Sequence, residues 1–540
     1  MARSVVAALL LAALTLHAQR RDLGTIVFPN SGAPAAQANF LRGVAWLHSF
    51  GYEDAIDAFR AAQKTDPAFT LAYWGEAMCF NQPLWFFEEP DKGRAALAKL
   101  GSTTQARAAT ARTPRERMYL AAVEALYGSG TKQARDKAYS DAMGALAAQF
   151  PQDDEAQAFY ALSLLAMLPR GDQAVPLREK AGAIAEGIFA HNPQHPGAAH
   201  YILHAYDHAA LAPKALTAAR AYAKIAPAAS HALHMPAHTF LQLGLWDEAA
   251  ATDQASWDAS IEWAARRKLP VSARDYHSLS WLQYEWTQQG RFMKAREAIG
   301  LIDDAMKVVG QSGHVGGQHY SDSEIGRGSG PVALRNDRGS MRARYVIESE
   351  QWTDMKGQTS FDNVDELFAL GLSAARLDDA KRLYAAVAEF EKLVKSPPDA
   401  ALLEQATVML HQLGALLMLS QGQPQEALSA LDRAAAAQAR LPKPIGRPYP
   451  PKGADELYGE VLLQTGRPKD AVVWFERALA RTPNRSRAVL GLARAAAKAG
   501  DAAKSRTAYK QFLANWRSAD PGRSEVKEAQ AALLSGKVRN

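Results

Sequence analysis

Seven of the fourteen histidines in the 540-residue chain fall between positions 195 and 238: His195, His200, His204, His208, His231, His234 and His238. Two pairs among them, His200 with His204 and His234 with His238, are spaced four residues apart. On a helix that spacing puts both rings on one face. Neutral imidazole binds zinc, copper, iron or nickel, so each pair is a natural chelate. Asp207 and His208 continue the face of the first pair by one turn, and Asp207 brings a carboxylate able to complete or orient the set. His231 extends the second pair in the other direction. The residues inside the pairs are Tyr201, Ile202, Leu203 and Met235, Pro236, Ala237, so the His-Glu-x-x-His signature of a zinc protease is absent.

Other chemistries find little support. Phosphate-binding glycine loops, a Gly-x-Ser-x-Gly elbow and a dinucleotide fingerprint are all missing from the sequence. The single cysteine, Cys79, rules out an intrachain disulfide and a thiolate zinc finger, and reads as a small buried residue. A net charge of +6, from 62 basic and 56 acidic residues, is too small and too evenly spread to indicate nucleic acid. Two readings of the histidines stay open. In one, His200, His204, His234 and His238 hold a transition metal (zinc, copper or iron). In the other, they line a polar groove that binds a peptide, protein or small ligand. Whether any reaction is catalysed, and the oligomeric state, are not specified by the sequence.

The elements that position these residues repeat. Gly43, Ala55, Phe59, Ala62 and Pro67 are spaced 12, 4, 3 and 5 apart, and so are Gly459, Ala471, Phe475, Ala478 and Pro483. Small residues let two helices approach, the phenylalanine fills the space between them, and proline ends the second helix. Weaker copies begin at Gly244, Gly422 and Gly500, and Pro193 and Pro227 stand 34 residues apart. The template resembles the tetratricopeptide repeat, a helix–turn–helix unit. That resemblance implies an all-α, right-handed superhelical solenoid of antiparallel helix pairs. It also implies a concave groove lined by the first helix of each pair, with a protein or peptide partner in it.

Phase sharpens the histidine reading. His200 and His204 lie 15 and 11 residues before Ala215, and His234 and His238 lie 15 and 11 before Ala249. The two pairs thus hold equivalent places in consecutive repeats, places that in the tetratricopeptide family point into the groove and leave side chains exposed. His277, seven residues after Pro270, is a fifth candidate. Within the aromatic stretch 73–85, Trp74 and Phe80 read as core, Glu76 and Asn81 as polar groove groups, and Glu88-Glu89 as a solvated loop.

The first residues, a basic start at Arg3 and an apolar run from Val5 to Leu16 ending at Ala18, read as a signal peptide over 1–18. A periplasmic or secreted location follows, and no later run reads as a membrane span. The remaining segments read as N-terminal repeats over 35–135, histidine-rich repeats over 136–310 and a glycine-rich loop without helical period over 311–340. Helical repeats follow over 341–440, a proline-rich connection over 441–453 and C-terminal repeats over 454–520.

Overall fold

The computed structural model describes residues 22–168, 174–312 and 331–535. Among them 25 α-helices follow one another. The strands there are the two-residue segments Asn81–Gln82 and Phe87–Glu88, paired antiparallel with Asn81 opposite Glu88. The fold is all-α, built of consecutive helix pairs, as the repeat template requires. The signal sequence lies outside the described residues, as does 313–330 of the glycine-rich segment.

The chain divides into two compact units, Met1–Thr239 and Phe240–Asn540. In the first, Phe59 is lodged between Gly43 and Gly75: a Cβ at those glycines would stand 2.8 and 2.3 Å from its ring. The second unit repeats the device. Phe475 sits between Gly459 and Gly491, where a Cβ would come within 3.0 and 2.3 Å. The alanines of the template are fully buried at Ala55, Ala215, Ala249 and Ala471.

Five residues before Ala55, Ala249, Ala295, Ala427 and Ala471 the chain turns left-handed to enter the second helix. Gly244, Gly290, Gly422 and Gly466 do this with φ between 68 and 77°, which glycine adopts without steric cost. In the first repeat the place belongs to Phe50, at φ 56°. A bulky residue there costs about 1–2 kcal/mol, so its side chain is worth noting.

Two expectations need correction. The segment 311–340 is not loop throughout: Gln311 and Ser312 finish the helix that starts at Phe292, and a new helix runs Pro331–Ser349. Its buried Leu334 and Met341 are seven residues apart, a helical face obscured in sequence by the glycines beside it. Secondly, the helix Ala400–Ser420 is long and apolar enough to cross a membrane by length and composition. It packs on Pro424–Arg440, and Ala406, Met409, Leu413 and Leu416 join the core of the second unit.

Candidate functional site

The first histidine helix, Pro196–Ala205, begins where His195 caps it: Nδ1 of His195 accepts the Ala198 N–H at 3.0 Å, and Pro196 fits the first turn because its missing N–H is not needed there. The second histidine helix, Ser230–Gln242, carries Pro236 inside it. Proline cannot donate to the carbonyl four residues back.

Three imidazoles converge. One ring nitrogen each from His200, His204 and His231 lies within 4.8 Å of the others. Nε2 of His200 and Nε2 of His204 are 3.0 Å apart. The tautomer of His200 follows from its other nitrogen. Nδ1 lies 2.6 Å from the backbone carbonyl oxygen of His48, which only accepts, so Nδ1 carries the proton and Nε2 of the neutral ring presents a lone pair. This is the outer hydrogen bond that ligating histidines make. Phe50 walls the group, with ring centroids 4.4 Å from His200, 5.6 Å from His204 and 5.4 Å from His231. The left-handed backbone of Phe50 thus delivers an apolar face to the imidazoles. Trp85 meets His231 edge-on at 5.6 Å, and Tyr222 stacks on His200 at 5.1 Å.

The other pair repeats the pattern. Nε2 of His234 and Nε2 of His238 are 3.0 Å apart. Nδ1 of His238 donates to Oδ2 of Asp207 at 3.0 Å, so its Nε2 also presents a lone pair. Burial lowers the pKa of His204 well below that of a free imidazole, and His200, His238, Arg178 and His234 push in the same direction. His204 therefore stays neutral. Arg178 closes this side by donating to the carbonyls of His204 and Ala205, at 2.8 and 3.3 Å.

Behind the imidazoles lies a network that the sequence did not disclose. Glu155, fully buried, accepts from Nε2 of His48 on one oxygen at 2.6 Å, and Nε2 of His195 stands 3.3 Å from the other as an ion-pair contact. Nδ1 of His48 meets the Tyr201 hydroxyl at 2.9 Å. Burial opposes ionisation of Glu155, but His48 and His195 outweigh it and hold the carboxyl at about 2. Burial lowers His48 in turn, against the pull of Glu155. A Cβ on Gly197 would stand 2.3 Å from Nδ1 of His48, so glycine is what admits this ring against the histidine helix. His48, Glu155 and His195 also have ligand-type atoms within 4.8 Å of one another; Glu155 is ion-paired with both rings, Nδ1 of His48 meets Tyr201 and Nδ1 of His195 caps the helix. Their part is support: the carbonyl that fixes His200 belongs to His48.

The expected residues are thus sorted. His200 and His204 join His231 rather than forming one four-nitrogen group with His234 and His238. The expectation of exposed side chains is overturned: His200, His231 and His234 are at most 4% exposed. His208 shapes the turn after the first histidine helix, its Nδ1 accepting the Ala210 N–H at 3.3 Å. His277 stands in the second unit, in the first turn of Tyr276–Gln288, its ring 5.6 Å from Trp281. Glu76 and Asn81 are not groove groups. Glu76 is buried in a clamp of Arg60, Gln63 and Lys99, and buried Asn81 accepts from Lys132 at 3.2 Å. Glu88 is not solvated but pairs with Arg135. Trp74, Phe80 and Cys79 are buried, as expected; burial raises the Cys79 thiol well above its usual pKa.

Residues 413–486 and 462–533 match two family models, each described as a tetratricopeptide repeat. No curated protein matches the chain. Solved structures similar to it include a tetratricopeptide repeat protein from Parabacteroides merdae (14% identity, 56% of this chain and 98% of that one, TM-score 0.29). Human IFIT1 in a dimer with PPP-AAAA shows 11% identity over 89% of this chain and 90% of that one, TM-score 0.34. Yeast Tom70 shows 12% over 94% and 97%, TM-score 0.30.

Proposed function

We propose that this tetratricopeptide repeat protein, a scaffold of the kind that binds protein partners, holds a transition-metal ion through His200, His204 and His231. One observation carries the reading: two buried imidazoles and a partly buried third bring their nitrogens together, and the ring of His200 is locked by a backbone acceptor into the tautomer that turns Nε2 toward the others. A 3.0 Å separation of two nitrogens suits metal–nitrogen bonds of about 2.0–2.1 Å meeting at roughly a right angle. Three protein nitrogens leave coordination positions open to an exogenous ligand, the arrangement of reactive rather than purely structural sites. The aromatic wall of Phe50 and Trp85 and the neutral state of His204 suit such a site. The apolar run Val5–Leu16 supports export to the periplasm or medium, where the site would take up its ion.

Elemental analysis of the purified full chain, before and after incubation with zinc or copper and dialysis, tests the proposal. Wild type retains stoichiometric metal, and His204→Ala, which removes one chelate arm while leaving the His200 anchor, loses most of it. Wild type without bound metal under both conditions contradicts the reading.

A further inference from the structure

The five imidazoles do not form one site. His200, His204 and His231 make one convergent set, and His234 with His238 make another. The second pair shares three features with the first set, though it brings two rings rather than three. Its Nε2 atoms are 3.0 Å apart, its rings project from successive turns of one helix, and one of its rings has Nδ1 committed to an outer acceptor. In the first set that acceptor is the His48 carbonyl; in the second it is the Asp207 carboxylate. A carboxylate raises the basicity of the imidazole it orients, so His238 is a stronger donor than a histidine bound to a neutral acceptor. Asp207 follows the first histidine helix directly, which ties the second pair to the repeat that carries the first. The ring centroids of His231 and His234 are 6.4 Å apart, and the charges of His234 and His238 both reach His204.

We infer that His234 and His238, oriented by Asp207, bind a second divalent transition-metal ion next to the first, making a two-metal centre from consecutive repeats. The inference rests on the three-histidine reading above. Two nitrogens, one of them from a carboxylate-backed ring, bind more weakly than three, so the second ion fills after the first. It also keeps more open positions, as a site that receives an oxygen ligand shared with its neighbour must.

Stoichiometry separates the two claims. The full chain is stripped with chelator and titrated with zinc by calorimetry, with elemental analysis of the dialysed product. Wild type takes up two equivalents, the second more weakly. His238→Gln and Asp207→Asn each leave the first equivalent in place, the former abolishing the second and the latter weakening it about 10–100-fold. Uptake of one equivalent that survives His238→Gln overturns the second site and keeps the three-histidine reading. One equivalent lost in either His204→Ala or His238→Gln means a single shared site and overturns the inference. No uptake overturns both. A spectroscopic measurement on wild type alone guards against variants that misfold. With one equivalent of Cu(II) the protein gives a mononuclear paramagnetic resonance signal, and with two the signal broadens through spin–spin coupling. A second equivalent that stays in solution as free ion overturns the inference without recourse to any variant.

Discussion

Replacing Glu155 by glutamine tests whether the buried network behind the histidines carries stability. The carboxylate accepts from Nε2 of His48 on one oxygen, and Nε2 of His195 stands 3.3 Å from the other in an ion-pair contact. A carboxamide accepts on one atom and presents N–H on the other, so one imidazole is left facing a donor. The fall of the carboxyl pKa from 4.5 to about 2 corresponds to about 3 kcal/mol at 1.36 kcal/mol per pH unit, within the range for breaking a buried pair. The sign follows from linkage. A carboxyl held below its unfolded pKa stabilises the fold fully above about pH 4.5, and that stabilisation is lost as pH falls toward 2. Hydrogen exchange in the full chain reads this locally. At neutral pH, amides of Asp154–Leu165 and Pro196–Ala205 should exchange about 100-fold faster in Glu155→Gln than in wild type, the rate equivalent of about 3 kcal/mol. Below pH 4.5 the two proteins should converge. Protection unchanged within about threefold, or a wild-type profile flat from pH 4.5 to 2, would refute the reasoning.

Four further outcomes are expected. Gly491→Ala places a methyl 2.3 Å from the ring of Phe475 and should cost about 1–3 kcal/mol, seen as a lower melting temperature; combining it with Phe475→Leu should recover part of the loss. In the second unit, burial raises Asp253 and Glu285 well above ordinary carboxyl values, and Asp275 and Asp253 respectively push them further. Raised carboxyls stabilise at low pH and lose that contribution as pH rises through their folded pKa, so Glu285→Gln should resist urea better than wild type at pH 8, with the advantage vanishing near pH 4. Zinc at about a hundred times its dissociation constant should stabilise wild type by about 2.7 kcal/mol, and His204→Ala by almost nothing, in paired thermal scans. Protein recovered from the periplasm or medium should begin near Gln19 by N-terminal sequencing; an intact Met1 on a cytoplasmic pool would count against export.

Local pattern made the repeat legible. Gly43 with Phe59 and Gly459 with Phe475 sit at fixed spacing in sequence because each pair touches across adjacent helices. The four-residue spacing of His200/His204 and His234/His238 likewise survives folding as two Nε2 contacts. What depends on long-range packing did not show. His48, Glu155 and Tyr201 come together from positions more than a hundred residues apart in two of their three pairings, and no spacing rule joins them. Glu76 reads as a groove residue until Arg60 and Lys99 are seen to neutralise it from neighbouring elements. His231 looked like an extension of His234, but helix phase turns it toward His200 and His204. Phe50 had one available signal: it occupies the place where later repeats put glycine.

The central claim is that three imidazoles of this repeat protein ligate one metal ion. X-ray absorption at the zinc edge, on the full chain loaded with one equivalent, addresses it directly. The account predicts a first shell at about 2.0–2.1 Å with the multiple scattering of three imidazole rings, reduced to two in His231→Ala. A shell of oxygen alone, or one unaltered by His231→Ala, would contradict it.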